Sequence, residues 1–192
     1  MDLGPYPWRF KPGDREHAPG SLRTVQALVN TVNHGVDDSL DRTGTLELWL
    51  GEFGLPAGPH PLTGSDVART KEVREALRAM LWHNGQMETD TAAAIDTLER
   101  AARTAQLTIA FVDDDSQLVP LDPGLDGALG QVVAIVYTSM ADGSWQRMKA
   151  CRRCGWAYYD HSRNRSGHWC SMAVCGSREK NKRAYRRRRA AR

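Results

Sequence analysis

The stretch "CRRCGWAYYDHSRNRSGHWCSMAVCGSREK", Cys151 to Lys180, carries all four cysteines of a 192-residue chain, spaced C-x2-C-x15-C-x4-C. A Cys-x2-Cys turn supplies two adjacent corners of a tetrahedron, and a second pair about one helical turn apart supplies the rest. In a reducing compartment such a cluster reads as a metal site rather than as two disulfides. Four thiolates close the shell of a zinc ion, so Cys151, Cys154, Cys170 and Cys175 are assigned to one structural Zn2+ per chain. His161 and His168 are the lesser candidates for a ligand position.

The chain between the two pairs must fold back. "WAYYD" after Cys154 reads as a strand, "SRNRS" as a polar turn, and "HWC" as a segment returning antiparallel to the strand, with a helix beginning near Ser171 or Ser177. The expected unit is a treble-clef-like finger of knuckle, hairpin and helix. Trp156 and Trp169 should form its small core. Tyr158 and Tyr159 alternate across the strand, so one of them packs inward.

Charge is divided as unevenly as the cysteines. Residues 147–192 hold 15 Lys and Arg against Asp160 and Glu179, while residues 1–146 hold 11 basic and 21 acidic side chains. An acidic body with a basic end points to a polyanionic partner, here nucleic acid. On a helix starting at Ser177, Arg178, Lys182, Tyr185, Arg186 and Arg189 recur along one side, with Lys180 and Arg183 beside them. Arg163 and Arg165 project from the finger's turn. A guanidinium fork can hold phosphate oxygens or the O6/N7 edge of guanine, and double-stranded DNA is the first expectation. The bland reading leaves Arg186–Arg189 as a solvated tail and turns Arg163, Arg165 and Arg178 inward. An RNA- or ribosome-associated protein would instead expose Tyr158, Trp169 or Tyr185 for stacking, and a protein-interaction adaptor would show an apolar patch.

Upstream, the body reads as amphipathic helices. Ser21 is placed to cap a helix with Leu22, Val25, Val29 and Val32 on one face, ended by Gly35. "LELWLGEF" (Leu46 to Phe53) is a short helix stopped by Gly54 and Pro56. Ser65 caps a longer one with a stripe of Val67, Val73, Leu77, Met80 and Leu81, running to Gly85. Thr89 or Asp90 caps a fourth with Ile95, Leu98 and Ala102. "LTIAFV" and "QLVPL" flank "DDDS" as a β-hairpin. The segment from Leu129 to Met140 is apolar on most sides and fits a central helix. The expected fold is therefore mainly α: a helical domain with one β-hairpin over residues 1–146, and a zinc finger ending in a basic helix over 147–192. A body ending near Gly143 is expected to fold alone.

No HExxH, P-loop, GxSxG or GxGxxG occurs, so nothing in the sequence points to an enzyme. No window approaches the roughly 20 apolar residues of a membrane span, and the opening residues lack the apolar run of a signal peptide. A cytoplasmic, nucleoid-associated protein is expected.

The run "YYDHSRNRSGHWCSMAVCGSREKNKRAYRRR" strongly resembles the CGNR-type zinc finger found at the C-terminus of a bacterial family whose N-terminal part is the ABATE domain. "LVNTV" at Leu28–Val32, Asp41–Arg42, "LELWLGEFGL" and "VREALRAML" resemble segments of that domain. The resemblance implies a stress-related transcription regulator whose finger binds DNA and whose N-terminal domain senses or dimerises. It also places Asn30, Asp41 and Arg42 in a polar pocket for a small-molecule effector, and allows a homodimer. The naming motif here is Cys175-Gly176-Ser177-Arg178, with serine in the asparagine position.

Overall fold

The computed structural model describes residues 6–9, 15–33, 37–42 and 44–190, and the side chains of Asn33, Val112, Arg183 and Ala190 lie outside that description. Among the described residues the chain is mainly helical, with three two-stranded antiparallel sheets.

Helix α1 (Leu22–Val29) is buried on nearly every side, its polar Thr24 and Gln26 included. It ends sooner than its apolar spacing suggests. Asn30 leaves the helix with its side chain bonded elsewhere in the fold, and Val32 enters β1 (Val32–Asn33), which pairs with β2 (Asp37–Asp38). The expected stop, Gly35, lies outside the described residues. Ser21 stands at the start of α1 but its hydroxyl makes no capping bond. Helix α2 (Thr45–Glu52) follows and buries Trp49 and Leu50.

Helix α3 (Gly64–Asn84) starts two residues before the sequence suggested, because Thr63 and Asp66 form a reciprocal capping box and leave Ser65 inside the helix. Its stripe of Val73, Leu77 and Leu81 is buried as expected, but Arg74 and Arg78 are buried beside it. Helix α4 (Thr91–Thr104) is capped by Asp90, whose carboxylate accepts from the Ala93 N–H. Leu98 packs inward while Ile95 faces solvent.

Strands β3 (Thr108–Val112) and β4 (Asp115–Val119) form the hairpin, with Asp113–Asp114 as its two-residue turn. It sits against α5 (Leu125–Ala141), the expected central helix, which packs on α1, α3 and α4. Glycine is needed there: a Cβ on Gly130 would come within 2.2 Å of the Ala105 Cβ, and one on Gly127 within 1.9 Å of the Asp122 carbonyl oxygen.

Strands β5 (Met148–Ala150) and β6 (Ala157–Tyr159) pair with each other, and the Cys151–Cys154 knuckle is the turn between them. The partner of "AYY" is thus the strand before the knuckle. The returning "HWC" segment does not pair with it, contrary to expectation: β5 takes one edge of β6, and the Asn30 side chain bonds the Ala157 backbone on the other. Met148, Ala150 and Ala157 belong to the same hydrophobic cluster as Leu28, Leu77 and Val132. A π-turn (Met172–Gly176), capped by the Ser171 hydroxyl, then leads directly into α6 (Ser177–Ala190).

Candidate metal centre and nucleic-acid interface

Each sulfur is brought to the centre by local structure. In the knuckle the Gly155 N–H donates to the Cys151 carbonyl at 2.9 Å, and Gly155 adopts φ +69°, a conformation that glycine takes without strain. Cys170 ends the loop after β6, and Cys175 lies one turn further on, inside the π-turn. The four sulfurs lie within 4.8 Å of one another, with Cys154–Cys170, Cys170–Cys175 and Cys175–Cys154 separations of 3.6, 3.7 and 3.7 Å. A tetrahedron with Zn–S bonds of about 2.3 Å has edges of about 3.8 Å, so the thiols fit one zinc ion.

Charge supports the same assignment. Hydrogen bonds from Cys154 and Cys170 hold the Cys151 thiol well below its ordinary value, while Cys154 is pushed up to about 12 by its bond to Cys151. The bond to Cys151 also raises Cys170, and burial raises Cys175. Four thiolates packed this closely repel one another. A divalent ion is what makes four thiolates compatible. His161 packs against Tyr159 and is not part of the cluster. His168 also stands outside it, held below the usual imidazole value by burial and by the neighbouring Arg152 and Lys149. Trp156 and Trp169 pack on the cysteines, and Tyr158 is the tyrosine that turns inward.

The finger is docked on the helices by buried polar bonds. Asn30 Nδ2 donates to the Ala157 carbonyl at 3.0 Å, and its Oδ1 accepts from the Ala157 N–H at 2.7 Å. Arg78, fully buried, donates to the carbonyls of Gly155 (2.6 Å) and Val29 (2.8 Å) while its Nε meets Glu75 at 2.9 Å. In the other direction Arg152 donates to the Gly85 carbonyl at the end of α3. A second arginine, Arg74, holds Asp38 through two 2.8 Å bonds. Asn30 is therefore a latch on β6 and does not line the cleft where the other two proposed effector residues lie.

That cleft, about 450 Å³, is walled by Asp41, Arg42, Leu46, Val67 and Lys71 among others. Lys71 pairs with Asp41 and, at 3.2 Å, with Asp38; Arg42 pairs with Asp37.

The basic side chains stand on the finger and its C-terminal helix. The loop after β6 is organised by Asp160, whose carboxylate accepts from the N–H groups of Ser162 (3.1 Å) and Gly167 (2.7 Å). Arg163 is exposed on this loop, and Arg165 reaches Gln146 at 2.8 Å from an exposed position. Helix α6, 14 residues or about 21 Å long, exposes Arg178, Lys180, Lys182 and Arg186. It packs chiefly on the π-turn before it. Arg183 is on the same helix, but its side chain lies outside the described residues. Ser177 does not act as a free cap: its hydroxyl donates to the Met172 carbonyl at 3.0 Å.

Residues 22–142, more than half of the chain, match the family model of the ABATE domain, described as "putative stress-induced transcription regulator". The chain belongs to the ABATE family. Its residues 147–189 match the CGNR zinc finger, which carries the four cysteines and nearly all of α6. No curated protein matches the chain. The ABATE domain thus supplies Asn30, Gln26 and Arg78, and the CGNR finger the Gly155 and Ala157 backbone that they hold. Sequence reasoning missed Arg78 as a docking residue. Its spacing of four from Arg74 on an otherwise apolar helix side was the available signal.

Proposed function

We propose that the protein is a transcription regulator that reads double-stranded DNA through residues 147–192, with residues 1–146 as its sensing or dimerising part. The observation that carries this reading is α6: a basic helix, exposed along its length and held at one end by the zinc cluster. A single helix of this kind fits the major groove, about 12 Å wide. Arg163 and Arg165 add phosphate-binding groups from a loop fixed by Asp160. In this reading Arg178, Lys180, Lys182, Arg183 and Arg186 meet the duplex, and the protein is cytoplasmic, bound to the nucleoid, with no catalytic role. Among the described residues no helix is long and apolar enough to cross a membrane.

The cleft of Asp41, Arg42 and Lys71 is the place for a small polar effector, without Asn30. One observation favours the RNA- or ribosome-associated alternative: Tyr185 is 66% exposed between Lys182 and Arg186 and could stack on an unpaired base. Tyr158, by contrast, is buried, and Trp169 is half-buried against the zinc cluster. A protein-binding adaptor would use Met172 and Val174, exposed on the π-turn.

The test is to sequence the nucleic acid that co-purifies with the protein from its own host. Enrichment of discrete DNA segments supports the proposal. Enrichment of RNA, or recovery of neither, overturns it.

A further inference from the structure

The β3–β4 hairpin is built as an open edge. Among the described residues its sheet has two strands, so β3 has an unpaired side. Val112 and Asp115 flank the two-residue turn and form a hydrogen-bonded pair, and the pattern alternates along the ladder. Thr108, Ala110 and Val112 therefore turn their backbone groups toward β4. Ile109 and Phe111 turn theirs outward.

These same two residues expose their side chains, Ile109 by 59% and Phe111 by 81%. Exposed edges are ordinarily guarded by a lysine, a proline or a bulge, and none interrupts Leu107–Val112.

We propose that β3 pairs with β3 of a second copy, antiparallel about a two-fold axis at Ala110, making one four-stranded sheet across the dimer. The register closes on itself. Ile109 of each copy stands opposite Phe111 of the other as a hydrogen-bonded pair, placing an aromatic ring beside a β-branched side chain on both sides of the axis. The pattern of the edge favours a second copy as the occupant: its two exposed apolar residues, Ile109 and Phe111, stand symmetrically about Ala110, so each meets the other's counterpart. This register brings each tip, with Asp113 and Asp114, alongside Leu107 and Gln106 of the other copy. The proposal deepens the dimerising part of the function proposed above, but it rests on the hairpin alone, so dimerisation and DNA binding can fail separately.

Sedimentation of the zinc-loaded full chain tests it. The wild type is expected to reach a dimer as concentration rises. Phe111→Lys, at a side chain already in solvent, should stay monomeric with unchanged circular dichroism and zinc content. Ala110→Cys should cross-link to itself under mild oxidation, since its two copies form a close non-hydrogen-bonded pair. Thr108→Cys, whose copies stand four residues out of register, should not. A wild type that stays monomeric, a dimer undisturbed by Phe111→Lys, or a dimer in which Ala110→Cys fails to cross-link would overturn the proposal.

Discussion

Lys149 and Asp160 form a buried ion pair, Nζ to Oδ2 at 2.9 Å, that ties the first strand of the finger to the loop bearing Arg163 and Arg165. Asp160 is fully buried, and Arg15 approaches it at 3.6 Å. Burial works to raise its carboxyl, but bonds from Ser162, Lys149 and Gly167 outweigh it and hold the group well below the usual carboxylate range. Asp160→Asn leaves Lys149 charged and unpaired, and should destabilise the protein by about 3–5 kcal/mol at neutral pH. Because the folded value is the depressed one, this stabilisation is complete above the unfolded value of about 3.9 and is lost as pH falls through the folded value. Denaturant titration over a pH series should show the gap between wild type and variant narrowing below about pH 4. A constant gap would show that the charge of Asp160 is not what stabilises the fold.

The docking of the finger makes a second prediction. A chain cut at Gly143 loses the buried Trp145, Met148, Ala150 and Ala157, and strands Asn30 and Arg78 without their carbonyl partners. An unsatisfied buried polar group costs about 1–3 kcal/mol, more when charged. Calorimetry of residues 1–143 should show no cooperative transition. A sharp transition near the wild-type Tm would mean that the helices need nothing from the finger.

The sequence led to the expectation that a body ending near Gly143 folds alone, whereas the docking bonds predict that it needs the finger. The metal ligands were legible because cysteine spacing is a local property of the chain, and α2, α4, α5 and the β3–β4 hairpin because apolar period is too. The docking was not, because Asn30 and Arg78 act on backbone carbonyls more than 70 residues away, and a backbone acceptor leaves no mark in the sequence. The cap of α3 was misplaced for a related reason: Thr63 and Ser65 are both good caps, and only Thr63 has Asp66 three residues on to complete the box.

Zinc removal should therefore reach beyond the finger. Coordination of a structural zinc contributes roughly 10–16 kcal/mol apparent in small fingers. Without it, the knuckle that presents Gly155 to Arg78 has nothing to fix its shape. Metal analysis should give one zinc per chain, and Cys170→Ser should lower the Tm of the whole protein rather than melt the finger alone. Two separate transitions by calorimetry, the larger unchanged, would contradict this.

Arg78→Met separates the latch from the metal. It keeps volume but removes the bonds to Gly155 and Val29, and should cost several kcal/mol by leaving those two carbonyls unpaired, about 1–3 kcal/mol each. Zinc stoichiometry should remain one. Unchanged stability in urea would show that apolar packing alone seats the finger.

The central claim is that α6 and the Asp160 loop bind duplex DNA, and fluorescence anisotropy of the zinc-loaded protein across a range of salt tests it most directly. Log affinity for duplex DNA should fall linearly with log salt, by about 0.9 per phosphate neutralised. Lys182→Ala and Arg163→Ala should each make the slope shallower by about one with little regard to sequence. Arg178→Ala, nearest the zinc, should cost about 1–3 kcal/mol mainly on a preferred site. Equal weak binding to duplex DNA, duplex RNA and single strands, lost by about 0.2 M salt and indifferent to Arg178, would contradict the account.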